Sequence, residues 1–162
     1  MILVTLGTQD KSFVRLLNAL EKQCEMGLIQ DEMIVQSGYT KFESRFMTII
    51  PYFSQDELDD YRQKAECIIT HGGVGSILDG CRYGKKIIGV PRLKEYKEHI
   101  NDHQIEICEQ FSHDGYILYA KNLEDIPACI EQAKSFEPKK YIFDNKKLIM
   151  HIKRVIDSNL FY

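Results

Sequence analysis

The chain has 162 residues, 44% hydrophobic and 28% charged, which suits one domain with its own core. A formal net charge of -3 argues against general nucleic-acid binding. Five cysteines without a Cys-x-x-Cys pair fit neither a disulfide framework nor a zinc site, and read as reduced core thiols of a cytoplasmic protein.

In chain order, Ile2 to Leu6 reads as a strand, and its early start places it at the centre of a sheet. The opening residues lack the basic region and long apolar core of a signal peptide. Gly7-Thr8-Gln9 follows at the carboxyl end of that strand, where open α/β sheets bind ligands. Phe13, Leu16, Leu17 and Leu20 recur at helical spacing and predict a helix over residues 12–25. Met33 to Gln36 and Met47 to Ile50 are further strands, the latter closed by Pro51. The charge-rich stretch from Gln55 to Lys64 reads as a helix.

Glu66 to Arg92 is the centre of the chain. Cys67-Ile68-Ile69-Thr70 has the apolar, β-branched character of a buried strand. Gly72, Gly73 and Gly75 then permit a tight turn and close approach of a ligand to the backbone. Ser76 is placed to cap a helix, with Asp79 three residues on as the acid of a capping box. Gly84 ends that helix, and Lys86 to Val90 is the next strand. The first turn of a helix carries unpaired N–H groups and a partial positive charge, so a glycine-rich entry can admit a diphosphate. The plainer reading is that the glycines only make the strand-to-helix turn. No Gly-Lys-Ser/Thr follows them, which excludes a P-loop. Leu78 occupies the third glycine position of a dinucleotide fingerprint, which weighs against a nicotinamide-dependent enzyme.

Beyond Pro91, the run from Leu93 to Gln104 is polar and reads as a loop, with Glu95 and Glu98 on a solvated face. It enters a helix carrying Ile105, Ile107, Cys108 and Phe111. Tyr116 to Tyr119 is a short last strand, and Leu123 to Phe136 a helix. After a linker at residues 137–140, a final amphipathic helix is expected over 144–159. Alternating strands and helices predict a parallel, Rossmann-like sheet of about six strands with helices on both faces. No apolar run reaches the roughly 20 residues that a membrane-spanning helix needs.

Three segments in order resemble the C-terminal domain of family 28 glycosyltransferases. They are Val4-Thr5-Leu6-Gly7-Thr8 with Phe13, His71 to Ser76 with Gly84-Lys85-Lys86 and Val90-Pro91, and Asn101-Asp102-His103-Gln104. The resemblance implies a single domain over residues 1–162, equivalent to the donor-binding half of a two-domain GT-B enzyme. It is closest to small soluble subunits of two-part transferases, both those of eukaryotic lipid-linked N-acetylglucosamine transfer and those of bacterial polysaccharide synthesis. Among these, Pro91-Arg92 and Glu98-His99 look most like the subunits of bacterial capsule and exopolysaccharide synthesis.

The implied reaction is inverting transfer of a hexose, galactose or N-acetylglucosamine, from a UDP-sugar to a lipid-linked acceptor in polysaccharide synthesis. Galactose is favoured by the capsule-like segment alone. No metal or other cofactor is expected, because helix dipoles and backbone N–H groups hold the diphosphate in such enzymes. The implied donor contacts are Gly7, Thr8, Gly72, Gly73, Gly75 and Ser76 at the diphosphate. Asp79 takes the ribose, where the family usually has Glu, and His103 and Gln104 face the sugar. Ribose binding by Asp79 stands against mere helix capping, and His103 can equally be a capping or packing residue. His71 and His103 are the candidates for a catalytic base, although in the family that base tends to lie on the other half. His71 has a second reading, fixing the glycine loop through hydrogen bonds. His99 and Asn101 are lesser candidates.

The implied partner is a membrane-anchored, acceptor-binding subunit, so the chain is expected at the cytoplasmic face of a membrane. The helix over 144–159 and the apolar tail Leu160-Phe161-Tyr162 are the expected docking element, and self-association is expected when the partner is missing. The alternative is a non-catalytic nucleotide-sugar-binding module that regulates a partner.

Overall fold

The computed structural model describes residues 1–143. The expected helix over 144–159 and the tail after it lie outside the described residues.

The strands are β1 (Ile2–Thr5), β2 (Met33–Gln36), β3 (Met47–Ile50), β4 (Cys67–Thr70), β5 (Lys86–Gly89) and β6 (Leu118–Tyr119). They form one parallel sheet in the order β3-β2-β1-β4-β5-β6. β1 is central as expected, and all four of its residues are buried. Parallel sheets need both faces covered, and the strands accordingly read as near-continuous apolar runs.

The period of two decides which face each residue serves. Ile2, Val4, Val35, Ile69 and Ile88 point to one face. There they meet Leu16, Leu17 and Leu20 of α1 (Val14–Glu25), and Ile126 and Ile130 of α5 (Ile126–Ser135). Leu3 and Ile68 point the other way, towards Leu58 and Tyr61 of α2 (Gln55–Lys64). Ile87 shares that second face with Ile77 of α3 (Val74–Arg82) and Ile107 and Phe111 of α4 (His103–His113). Helices thus cover both faces, as the sequence implied.

Local differences have local causes. α1 starts at Val14 rather than Ser12, with Phe13 at its N-cap and the Phe13 N–H held by Thr40 Oγ1 at 2.9 Å. β6 shrinks to two residues, because only Ile88 and Gly89 of β5 pair with it. Residues Leu123–Asp125 form a 3-10 turn, closed by Asn122 and Asp125, before α5 begins. α2 keeps its predicted bounds because Ser54 and Glu57 form a reciprocal capping box. Gly84, at φ 63°, ends α3 as expected. All five cysteines are free and lie in strands or helices.

Most of the polar segment after β5 is exposed as expected, Glu95 included, but Glu98 is not on a solvated face. Glu98 is 3% exposed. Its carboxylate takes Nε and Nη2 of Arg15, each at 2.9 Å, and the Leu93 N–H at 3.0 Å. Arg92 is 1% exposed and donates to the carbonyls of Leu6, Lys11 and Glu98. This network fastens the segment to the loop after β1 and to α1. A buried carboxylate survives when its charge and lone pairs are met, and both conditions hold here.

Candidate functional site

The carboxyl ends of β1 and β4 diverge around a cleft of about 300 Å³. Such a position follows from strand order: neighbouring parallel strands feed loops that part from one another. Gly7, Thr8, His71, Gly73, Gly75, Ser76 and Asp79 line it, so most of the residues singled out in the sequence come together. Gln9, Gln36 and Arg62 line it as well. Gly72, His103 and Gln104 do not.

His71 organises the rim. A Cβ on Gly7, whose φ is 77°, would lie 2.6 Å from Cε1 of the imidazole. A Cβ on Gly73 would collide with Nε2 of the same ring. The ring thus lies between glycines of two loops; Gly73 leaves room for it, and Gly7 both leaves room and holds a positive φ. Gly72 faces away, where a Cβ would come within 2.6 Å of the Gln104 carbonyl, so it sets the approach of α4 to β4.

Burial pushes the His71 pKa down to about 4, with the Arg92 charge adding to the shift and the Thr5 backbone opposing it. Nδ1 is buried without a partner in hydrogen-bond geometry among the described residues. Such a ring is neutral at pH 7 and a poor proton acceptor. Its low basicity makes His71 the weaker of the two candidates for a general base.

Gly75 differs from the other loop glycines. Apart from its chain neighbours and its own helix backbone, no atom of the described residues lies within 4 Å of the position its Cβ would take. It is exposed, one residue into α3, and faces the cleft. The helix begins after Gly73 and has no side-chain cap, so Ser76 is not the N-cap and forms no capping box with Asp79. The backbone N–H groups of Val74, Gly75 and Ser76 make no hydrogen bond among the described residues. Orphan donors, a positive helix terminus and open space for an anion coincide at this point.

Asp79 stands in the second half of α3 with its carboxylate clamped by arginines. Arg62 Nη2 reaches Oδ2 at 3.1 Å, and Arg82 Nη1 lies 3.5 Å from Oδ1. Arg62 comes from α2, where Asp59 holds its Nη1 at 2.9 Å. Sequence reasoning missed Arg62. It belongs to no motif, and on a charge-rich helix it looks like any solvated cation.

His103 opens α4, with Nδ1 3.5 Å from Glu106 Oε2. Gln104 is 4% exposed, and its Oε1 accepts the Arg92 N–H at 3.0 Å. One half of this amide is therefore committed to the fold, while Nε2 makes no hydrogen bond among the described residues. His99 and Asn101 pair with each other at 2.9 Å and precede α4, whose first N–H reaches Asn101 Oδ1 at 3.3 Å. No cluster of three metal-ligating side chains occurs among the described residues. None of the described helices is long and apolar enough to cross a membrane.

Known proteins match this geometry. The chain is 32% identical over 94 residues to the "UDP-N-acetylglucosamine transferase subunit ALG13" of Homo sapiens. That match covers 58% of the chain and 8% of the human protein, so the chain spans well under two thirds of this relative's length. An NMR solution structure of ALG13 superposes with a TM-score of 0.59 at 20% identity, covering 90% of this chain and 91% of that one. The calicheamicin glycosyltransferase CalG4 superposes with a TM-score of 0.57 at 14% identity, over 82% of this chain and 33% of its own. The fold is that of the C-terminal half of a GT-B glycosyltransferase. A family model described as the glycosyltransferase family 28 C-terminal domain matches residues 1–158, and the chain belongs to that family.

Proposed function

We propose that this chain is the donor-binding subunit of a two-part inverting glycosyltransferase. It holds a UDP-sugar at the β1/β4 cleft, and a membrane-anchored partner brings a lipid-linked saccharide acceptor. The observation that carries the reading is the open start of α3. Three N–H groups there are unpaired, and Gly75 and Ser76 line the cleft.

In this reading the diphosphate lies against Val74, Gly75 and Ser76. Thr8 and His71 approach it from the other bank. Arg92 beneath the loops adds positive potential. As the acceptor hydroxyl attacks the anomeric carbon, the bond to UDP breaks and charge grows on the departing phosphate oxygen. Fixed N–H donors stabilise that charge without reorganising, and one such donor is worth roughly 10²–10³ in rate. No metal is required. The proton of the acceptor hydroxyl goes to a base on the partner. His71, neutral with a pKa near 4, serves instead as a hydrogen-bond partner of the phosphate.

N-acetylglucosamine is the sugar proposed. The human relative's name carries it, and no comparison supports the galactose that the segment after Pro91 suggested. Gln104 Nε2 is the donor available to a sugar hydroxyl behind the glycine loop.

Calorimetric titration with UDP, with ADP and NAD as controls, tests the donor site. Selective UDP binding is expected. Absence of binding, both alone and with the partner subunit present, would overturn the reading. Transfer of labelled N-acetylglucosamine only when the partner is added separates the transferase from a non-catalytic binding module.

A further inference from the structure

We infer that Arg92 is a positioning residue for the donor cleft: its guanidinium closes the loop after β1 and so holds Thr8 and Gln9 in place before a ligand arrives. The inference rests on the donor-site reading above and deepens it.

The loop has little else to hold it. It joins β1 to α1, and Gly7, Thr8 and Gln9 line the cleft. Thr8, Gln9 and Asp10 are exposed. Among the described residues, Gly7, Thr8, Gln9 and Asp10 make no hydrogen bond through backbone or side chain. The carbonyls on either side of this stretch, those of Leu6 and Lys11, both accept from one side chain, Arg92. A loop without bonds of its own must be ordered when a ligand binds, at a cost in conformational entropy. Fixing both of its ends in advance removes part of that cost.

Arg92 is itself held firmly. Its guanidinium lies 5.3 Å from the ring centroid of Phe13, and Nη1 also donates to the Glu98 carbonyl at 3.3 Å. Its backbone N–H is held by Gln104 Oε1. Packing alone does not call for a charge at this place. Arg92 forms no ion pair within 4 Å among the described residues, because the Glu98 carboxylate is turned to Arg15. An apolar side chain would fill the space without the desolvation cost of a buried cation. The planar fork supplies what neither an apolar side chain nor a point charge does, simultaneous bonds to both ends of one loop.

The test measures backbone 15N relaxation on the full chain without ligand and calorimetric UDP affinity, for the wild type, Arg92→Lys and Arg92→Met. Thermal melts confirm that each variant is folded. All three keep the backbone N–H to Gln104, so differences belong to the side chain. In the wild type, order parameters at residues 8–10 should approach the rigid value of about 0.85. In Arg92→Lys, which keeps the charge but not the fork, they should fall below about 0.6 while those of β1 and β4 stay unchanged. UDP affinity should fall about tenfold in the same variant, the cost of fixing roughly one backbone residue on binding. Arg92→Met should lose at least as much. Order parameters below about 0.6 at residues 8–10 of the wild type overturn the inference without any variant. A lower melting temperature in Arg92→Lys, with loop order and UDP affinity unchanged, makes Arg92 merely structural and overturns it too. Loss of affinity in Arg92→Met alone, with Arg92→Lys like the wild type, assigns the effect to charge rather than to positioning, with the same result. No UDP binding by the wild type, alone or with its partner, overturns the donor site and this inference with it. That outcome is told apart from a failed positioning role by the relaxation data, which need no ligand.

Discussion

His71 shows how one side chain sets the terms for its neighbours. The sequence suggested that the glycines around it serve a phosphate. Two of them, Gly7 and Gly73, also make room for the imidazole. Its half-buried, neutral state also has a thermodynamic consequence. The unfolded chain protonates this histidine near pH 6.5, whereas the folded chain resists until about pH 4. Between those values the unfolded state binds more protons. The contribution is therefore complete above pH 6.5 and is lost as the pH falls towards 4. The expected slope is one proton, about 1.4 kcal/mol per pH unit. Urea unfolding at pH 7, 6 and 5 should give a flatter dependence for His71→Gln than for the wild type. Parallel curves would show that His71 carries no such shift.

At the scale of elements, α3 departs from ordinary helix design at its first turn. α2 closes its own start with the Ser54 and Glu57 capping box, while α3 leaves its start open. A helix built only for stability would carry a cap worth about 1 kcal/mol and no glycine inside. Gly75→Ala should therefore leave the melting temperature unchanged or raise it, because Ala is up to about 1 kcal/mol better than Gly in a helix. The new methyl enters space the protein leaves empty, so UDP affinity should fall about tenfold, the effect of one lost charge-assisted hydrogen bond. Differential scanning fluorimetry and calorimetry on the same variant check both halves. Lower stability with unchanged affinity would mean that Gly75 serves the fold rather than a ligand.

Across the whole molecule, the long polar connection between β5 and α4 acts as a strap over the carboxyl end of the sheet. Arg92 fastens it to the loop after β1, and Glu98 fastens it to α1 through Arg15. Arg15 in turn stacks over Tyr96, 4.8 Å from the ring centroid. Removing one partner of such a pair leaves a charge without its counterpart. Glu98→Ala should cost about 3 kcal/mol in urea unfolding, and Glu98→Gln less, because the amide keeps an acceptor for the Leu93 N–H. A loss below about 0.5 kcal/mol would place this pair with ordinary surface bridges.

The elements themselves were legible because their signals are local. Apolar runs at Cys67–Thr70 and Met33–Gln36 and the spacing of Leu16, Leu17 and Leu20 each act within a few residues. The parallel sheet, the central β1, and the gathering of Gly7, Thr8, Gly73, Gly75, Ser76 and Asp79 at one cleft follow from that alternation. Partners distant along the chain were not legible. Gln104 looked like a first-turn residue free to meet a sugar, yet its Oε1 belongs to the Arg92 backbone. Glu98 looked solvated and is buried against Arg15, 83 residues away. Arg62 meets Asp79 only because α2 and α3 pack side by side on the same sheet face. Sequence alone determined which segments form strands and helices, since backbone preference and burial period are properties of short stretches. Tertiary structure decided which charges are paired and which glycine is left facing open space. Those depend on distances between elements that no local pattern records.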